Sequence, residues 1–505
     1  MLSRFFCENS LFWRLMAVKN LNARIILGLK ARQLRQEQGL SFAELSKTSG
    51  LSVSYLNEIE KGKKFPKPDK LEALAKSLKV SVEQLSSDKL EGTLAPVSDL
   101  LQSNFLNELP LDLFGIDLSK IVEIISQAPK KVGAFISTLV EIARNHAYVE
   151  ENFYYGALRS YLEMHLNYFE DIEQAVSSFR AAYDFSATEP LNEDQLSNLL
   201  ETNYHYDIEK GGLDQYTELA GIRSVYIPKS KTLLLNGRLR SIQRGFQYGK
   251  ELGFNYLGLK QRANTASLMR VESFEMVLAH FKAAYFSAAL IMPLDAVHIR
   301  LKEFLAKETF DTSYIQGIMH DFGATGEMVF QRMTNILPAL MGIRKIYFFR
   351  FLSSGDSVNY TVDKELHLDG KHTPHANRLS ETYCRRWLSI RMLDQLKKSG
   401  SDMEISAQIS KYHDSSEEYL IISLVKKGDR NAHNFVGLSL GILLEKSVKS
   451  KIGFLKDSTI NRNVISTTCE RCPIMDCAQR AADPIKYLEK EQKKRVYKAL
   501  GDLLK

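Results

Sequence analysis

The run from Ser41 to Gly62 limits this chain more than any other segment, because it fixes two helix starts and one obligatory stop in quick succession. Ser41 followed three residues later by Glu44 is a capping box. The hydroxyl satisfies a free amide of the first turn and the carboxylate reaches back to the cap. Leu45 then faces a core, and Gly50 ends the helix in a left-handed conformation that a residue without a Cβ adopts at no steric cost. Ser52 caps the next helix, in which Leu56 and Ile59 point inward while Ser54, Tyr55 and Asn57 point outward. Upstream, Leu29, Leu34 and Leu40 mark a first helix that exits at Gly39. Downstream, Asp69 with Glu72 and Ser81 with Gln84 cap a fourth and a fifth. The pattern predicts five short helices over residues 22–88, with a tight turn between the second and third.

That layout is a helix-turn-helix unit, and the charge agrees with it. From Arg24 to Lys70 there are ten Lys or Arg against five Asp or Glu, so most of the chain's net charge of +7 lies in under a tenth of its length. A compact basic unit is an electrostatic footprint for phosphate. On the third helix Ser52, Ser54, Tyr55 and Asn57 are short or hydrogen-bonding, suited to base edges or phosphates in a major groove. Lys61, Lys63, Lys64 and Lys67 follow that helix and suit backbone phosphates, which give salt-dependent affinity without sequence information. The plainer readings are a small helical bundle that binds protein and a solvated lysine face. One such module reads a short half-site, so a homodimer on a palindromic double-stranded operator is the geometric expectation.

Ser41-Phe-Ala-Glu-Leu45, Gly50-Leu-Ser-Val-Ser-Tyr-Leu56 and Ile59-Glu-Lys-Gly62 resemble the lambda-repressor-like (XRE) helix-turn-helix family. The resemblance implies sequence-specific DNA binding, and a structural pair between an Arg of the first helix and the Glu before the Gly, here Arg35 and Glu60. Ser46 departs from the family's usual Ala at the helix crossing.

The remaining length is enough for about three domains in all 505 residues. With 44% hydrophobic and 25% charged residues and a mean hydropathy of −0.21, a folded soluble protein is the default. No apolar run approaches the ~20 residues that span a bilayer, so no membrane partner is expected. Residues 1–21 carry an apolar patch broken by Glu8, Asn9 and Arg14 without a small-residue cleavage site. They read as a leader rather than a signal peptide, with Met16 an alternative start, and a cytoplasmic location follows. Residues 89–120, with Pro96, Pro110 and Gly115, read as a linker. Residues 121–340 show helical spacing, and the aromatics Phe153, Tyr154, Tyr155, Tyr161 and Tyr168 belong to a core or a dimer interface.

Within that helical region Arg240-Ser-Ile-Gln-Arg-Gly-Phe-Gln-Tyr-Gly-Lys-Glu-Leu-Gly-Phe254 and Phe281-Lys-Ala-Ala-Tyr-Phe-Ser-Ala-Ala-Leu-Ile-Met-Pro293 are similar to ImmA/IrrE-type metallopeptidases. In that family a His-Glu-x-x-His helix holds zinc and its Glu activates water. Here the matching positions are Lys250, Glu251 and Phe254, and the downstream carboxylate ligand falls on Lys282. A protonated ammonium and a phenyl ring supply no lone pair to zinc, so the site is degenerate and the chain is expected not to be an enzyme. Lys250 and Lys282 are either anion-attracting groups of a surviving cleft or simple surface lysines.

From 341 to 482 the texture becomes α+β. Residues 345–351 with 357–362, and 419–425 with 434–442, read as two strand pairs, and helices cover 386–397 and the tail, 483–505. A GAF-like sensor domain is the analogy. Cys469, Cys472 and Cys477 form C-x2-C-x4-C, close enough along the chain for three thiolates to converge, with Pro473 stiffening the turn and Arg480 offsetting charge. Cys384 is the candidate fourth ligand. Four thiolates suit tetrahedral zinc or an iron–sulfur cluster, and the spacing leaves both open. Cys7 has no assigned role, and His367, His372 and His375 read as a solvated loop.

The order helix-turn-helix, degenerate peptidase-like region and Cys-x2-Cys-Pro-x3-Cys-x2-Arg resembles bacterial short-chain fatty acyl regulators of the propionate and glyoxylate pathways. The resemblance implies transcription control tuned by a small acidic metabolite such as an acyl-CoA, with an iron–sulfur cluster on these cysteines in some members. Two other readings stand beside it: a regulator in which the metal centre itself is the redox signal, and a metallopeptidase acting on a repressor.

Overall fold

The computed structural model describes residues 23–87, 150–266, 271–355, 359–368, 381–413, 415–428 and 434–504. The expectations for the leader 1–21 with Cys7 and Met16, for the linker 89–120, for the helical stretch up to 149, and for His372 and His375 lie outside the described residues. The chain divides into two compact units, one of Met1–Ala157 with Val271–Glu275 and the other of Leu158–Arg270 with Met276–Lys505.

In the first unit five helices close around one core: α1 (residues 23–37), α2 (Phe42–Ser49), α3 (Val53–Glu60), α4 (Pro68–Ser77) and α5 (Val82–Ser86). Leu27, Ala31, Leu45, Leu51, Leu56, Ile59, Leu71, Leu74, Leu78 and Leu85 form that core. Ser41 and Glu44 make both halves of the capping box, and Gly50 stands at φ +70° with its N–H donating to the Ser46 carbonyl. The start of α4 differs from the expectation. Lys67, not Asp69, is the N-cap, and Pro68 opens the helix. Proline at that position gives up no helical hydrogen bond, because its missing N–H would have had no partner there.

The second unit begins with the end of α6 (Glu150–Met164), then α7 (Glu170–Ala182) and α8 (Glu193–Tyr204). A small sheet follows, β1 (Asp207–Lys210), β2 (Ser224–Ile227) and β3 (Thr232–Leu235), in the order β1-β3-β2 with β1 parallel to β3. Helices α9 (Ser241–Tyr256), α10 (Phe274–Ile291), α11 (Leu294–Ala306), α12 (Thr312–Asp321) and α13 (Gly326–Leu340) complete the helical part. Three of them are tied by a buried ionic knot. Arg332 on α13, fully enclosed, donates to Glu173 on α7 at 3.0 Å and to the Met292 carbonyl at 3.1 Å, while Tyr285 on α10 donates to the same carboxylate at 2.7 Å. Helix α10 is long and apolar enough to cross a membrane, but 72% of it is buried inside the protein, the signature of a core helix. The aromatics near α6 also turn inward in part. Tyr161 stacks on Phe169 at 5.6 Å, whereas Tyr155 keeps 37% of its surface exposed.

The carboxy-terminal part is a six-stranded sheet of order β5-β4-β8-β7-β6-β9. Its strands are β4 (Ile346–Ser354), β5 (Thr361–His367), β6 (Met403–Tyr412), β7 (Glu418–Lys427), β8 (Asn434–Leu443) and β9 (Asn461–Ile465). All neighbours are antiparallel except β6 and β9. The two expected strand pairs are β4–β5 and β7–β8; β6 and β9 are additions. The second expected strand, 357–362, in fact starts at Thr361 and runs on to His367, which puts His367 in a strand with 5% exposure rather than in a solvated loop. Helix α14 (Leu388–Ser399) lies across one face of the sheet, its Leu388, Leu393 and Leu396 packed against Phe351, Tyr419 and Val425. Ser389 on α14 shares a hydrogen bond with Ser423 on β7 at 3.0 Å. After the short helix α15 (Lys446–Lys449), the chain ends in α16 (Ile485–Leu503).

Candidate nucleic-acid interface and cysteine site

The third helix is positioned from behind by one ion pair. The Arg35 guanidinium meets Glu60 with its Nε and Nη2 edge, at 2.6 and 2.9 Å, donates from Nη1 to the Leu40 carbonyl at 2.8 Å and lies 4.1 Å from the Phe42 ring centre. Glu60, at the end of α3, is only 4% exposed, so the pair fixes the helix end against α1 and the α1–α2 turn. Ser46 Oγ donates to the Leu51 carbonyl at 2.6 Å, so the residue that departs from Ala staples the turn between α2 and α3.

The expected contact residues lie on α3 from its N-cap onward and in the turn beyond its C-terminal end. Ser52 is the N-cap and accepts from the Tyr55 amide at 3.3 Å. That leaves its hydroxyl proton free to donate outward. Ser52 and Ser54 are exposed, whereas Tyr55 and Asn57 are half-buried. Tyr55 packs on the core edge and lies beneath Lys70, 4.5 Å from its ring centre. Lys61, Lys63 and Lys67 are exposed. Lys64 is also exposed but paired with Glu58 at 2.8 Å, a pair that raises its ammonium pKa. The helix period gave no sign of this pair, because Lys64 lies in the turn past α3. Val53, 46% exposed at the first position of α3, is an outward apolar residue that the sequence reading passed over.

The four candidate ligand cysteines come together. Cys384, Cys469, Cys472 and Cys477 line one small cavity of about 10 Å³, together with Arg480 and Ile474. Two chain segments far apart in sequence are stitched there by backbone bonds. The Cys384 N–H donates to Thr467 at 3.2 Å, the Cys469 N–H donates to Thr382 at 2.9 Å, and Tyr383 and Thr468 form a β-bridge. Glu470 caps the Thr382 amide at 2.9 Å, and Trp387 Nε1 donates to the Ser466 carbonyl at 2.8 Å. Arg480 donates to the carbonyls of Cys469, Cys472 and Ile474 at 2.9, 3.2 and 2.6 Å, which wraps the C-x2-C-x4-C loop around a single guanidinium. The Ala481 N–H points at Cys469 Sγ, 3.5 Å away.

Burial pushes the Cys384 thiol pKa up, and the neighbouring Cys469 and Cys472 add to the rise. A buried thiol beside other cysteine sulfurs is a donor that a thiophilic cation suits. Among the described residues, no group of three or more His, Cys, Asp and Glu side chains is gathered tightly enough to hold one metal ion. The four thiols surround a common space without closing on a point.

The peptidase-like positions form a packed polar cluster. Lys250, Glu251 and Phe254 are all buried. Lys250 is thus not a surface lysine; its ammonium donates to the Ala266 carbonyl at 2.9 Å, and burial lowers its pKa to about 8. Glu251 is held by Arg262 at 2.8 Å and by the Tyr206 hydroxyl at 3.0 Å. Phe254 packs on Ala279 and Ala283 of α10. Arg262 and His280, which the sequence reading did not single out, fill the rest. Arg262 lies 4.1 and 4.4 Å from the Phe254 and Tyr226 ring centres, and His280 Nε2 accepts from the Ala263 N–H at 3.1 Å. Lys282 is half-buried on α10. The Glu251 carboxylate is therefore neutralised by a guanidinium.

Residues 32–85 match the helix-turn-helix family HTH_3. A Mycobacterium tuberculosis transcriptional regulator of known structure is similar at 18% identity, with a TM-score of 0.46, over 64% of this chain and 92% of that one. No curated protein matches the chain. The head of this protein is a helix-turn-helix domain of the XRE type, the equipment of DNA-binding transcription regulation.

Proposed function

We propose that the chain is a cytoplasmic, non-enzymatic transcription factor that binds a palindromic operator as a homodimer. The observation that carries this reading is the third helix itself, braced from behind by Arg35–Glu60, with Ser52, Ser54 and Val53 exposed at its entry and Lys61 and Lys63 exposed at its exit. Ser54 and Asn57 read base edges; Ser52, Lys61, Lys63 and Lys64 grip phosphates. A duplex-selection experiment followed by titration tests it. A preferred half-palindrome is expected, and Asn57→Ala is expected to lose preference for one base step at a cost of about 1–3 kcal/mol. Equal loss on every duplex would remove Asn57 from the reading role.

The second part of the proposal is control by a metal centre on Cys384, Cys469, Cys472 and Cys477, with a small acidic metabolite such as an acyl-CoA as a further effector. The donor set fits a soft metal, and four thiolates suit either an iron–sulfur cluster or a tetrahedral zinc. A single zinc with Zn–S near 2.3 Å needs all four sulfurs close together, whereas a cluster takes each thiolate on a different iron. When bound, such a cluster supplies one-electron redox or oxygen sensitivity. The chain's own residues hold the Cys469–Cys477 loop through Arg480 and dock Cys384 against it. Anaerobic purification with metal analysis tests this: iron with sulfide supports the cluster, and zinc alone supports the tetrahedral alternative. Metal content that persists after all four cysteines are changed to Ser overturns both.

A further inference from the structure

A second concavity of about 450 Å³ lies on the face of the large sheet that α14 crosses, lined by none of the residues around the cysteines. Its walls are Arg391, Met392 and Gln395 from α14, Glu404, Ile405 and Ser406 from β6, and Asn461 from β9. The size is that of an ordinary metabolite site. The topology explains why it is open. Strand β9 first pairs with β6 at Gln408, through Asn461, so residues 403–407 of β6 have no β9 partner on that edge. The sheet is one half-strand short where α14 passes over it.

The polar groups around this space are matched in an informative way. Arg391 is half-buried, and among the described residues its guanidinium has no acceptor; burial lowers its pKa and no carboxylate offsets that. Glu404 is held by a single hydroxyl, Ser399 Oγ, at 3.2 Å, and makes no ion pair with Arg391 among the described residues. Gln395, Ser406 and Asn461 add neutral donors and acceptors, while Met392 and Ile405 add apolar surface. One cation and one anion that do not meet each other, in a mainly polar lining, are complementary to a small molecule with an anionic and a cationic end.

We propose that this concavity is a binding site for a free amino acid, its carboxylate on Arg391 and its ammonium on Glu404, and that occupancy is transmitted to the cysteine site. The transmission follows from connectivity. Helix α14 begins four residues after Cys384, and β9 ends four residues before Cys469, so both walls of the concavity run directly into the two halves of the thiol cavity. Gln408 links them further: its amide donates to the Arg386 carbonyl at 3.2 Å and accepts from Asn463 at 2.8 Å. A ligand that bridges α14 and β9 fixes the distance between the segments that carry Cys384 and Cys469.

The ligand test is independent of operator binding. Isothermal titration of the full chain uses L-leucine, L-glutamine and glycine, with acetate, methylammonium and inorganic phosphate as partial or competing probes, each up to about 10 mM. At least one amino acid is expected to bind about tenfold or more tightly than acetate or methylammonium. Arg391→Ala is expected to abolish that binding and Glu404→Gln to reduce it to the level of acetate, with circular dichroism unchanged in both. Arg391→Lys, which keeps the charge but not the fork, should weaken binding without removing it. The coupling is read separately, as a change in the rate of Cys384 and Cys469 alkylation in metal-free protein when the amino acid is added. No binding by any of the three amino acids, binding insensitive to both Arg391→Ala and Glu404→Gln, or phosphate binding in their place would overturn the site. An unchanged alkylation rate at saturation would overturn the coupling.

Discussion

Removing Glu60 should release the reading helix without touching any residue that faces DNA. The carboxylate is 4% exposed and accepts two guanidinium bonds at 2.6 and 2.9 Å, while Arg35 is 11% exposed and wedged over Phe42. Glu60→Ala leaves that guanidinium largely buried with only the Leu40 carbonyl as acceptor, a change that costs about 3 kcal/mol when one partner of an enclosed pair is deleted. A helical unit of this size holds only about 3–5 kcal/mol in total, so the loss brings the head close to its midpoint of unfolding. Arg35→Ala should cost a similar amount, since it strands the carboxylate. The double variant should cost much less than the sum, with a coupling energy of about 2 kcal/mol. Hydrogen exchange at amides of α1 and α3 in the full chain reads the local stability, and operator affinity reads the consequence. Additive single-variant losses, or unchanged exchange in Glu60→Ala, would refute the idea that this pair braces the helix.

Three further outcomes follow from other residues. Lys63→Ala should weaken binding to all duplexes alike and lower the salt slope by about one ion, whereas Lys64→Ala should do less because Glu58 already engages that ammonium; titration at several salt concentrations checks both. Changing any one of Cys384, Cys469, Cys472 and Cys477 to Ser should lower bound metal in all of its spectroscopic signals together, as expected of ligands around one cavity. His280, whose pKa burial and then Lys250 and Arg262 lower to about 3, is held neutral in the folded state but protonates near 6.5 when unfolded. The unfolded form therefore binds the extra proton, and stability contributed by His280 is full above pH 6.5 and falls as pH drops towards 3, by up to about 1.4 kcal/mol per unit. Chemical denaturation across that range should show a shallower slope for His280→Gln.

The parts of the fold that could be read from the sequence were those set by short-range chemistry. The Ser41–Glu44 box, the left-handed Gly50 and the Ser52 cap are local, and the structure has them where the spacing put them. The cap of α4 was misread because Asp69 and Glu72 fit a capping pattern, while Pro68 starts the helix two residues earlier than that pattern allows. Strand β6 was hidden by its own buried polar residues. Gln408 and Ser410 are enclosed, and their hydrogen bonds to each other and to Arg386 compensate for what reads as a polar, solvent-facing run. Strand β9 is five residues that exist through parallel pairing with a segment some fifty residues away, which periodicity does not register.

The candidate sites divide in the same way. Clustering along the chain pointed to Cys469, Cys472 and Cys477, and the sheet connections supply Cys384. What spacing could not supply was the environment of Lys250. It looked like a surface lysine or an anion trap, yet α9 lies so close to α10 that a Cβ at Gly249 would come within 2.4 Å of Ser287 Oγ, and Lys250 is enclosed beside that crossing. Arg262 went unnoticed because an arginine in a loop carries no pattern. Its role depends on Glu251, Tyr226 and Phe254 meeting around it in space.

The most direct measurement is the affinity of the full chain for its selected duplex and for random competitor DNA, side by side at about 0.15 M salt. The account predicts a preference of about a thousandfold or more, lost when α3 carries Ser54→Ala with Asn57→Ala and kept when Cys469 and Cys472 are changed to Ser under metal-free conditions. Equal affinity for every duplex, or a preference indifferent to the α3 substitutions, would contradict it.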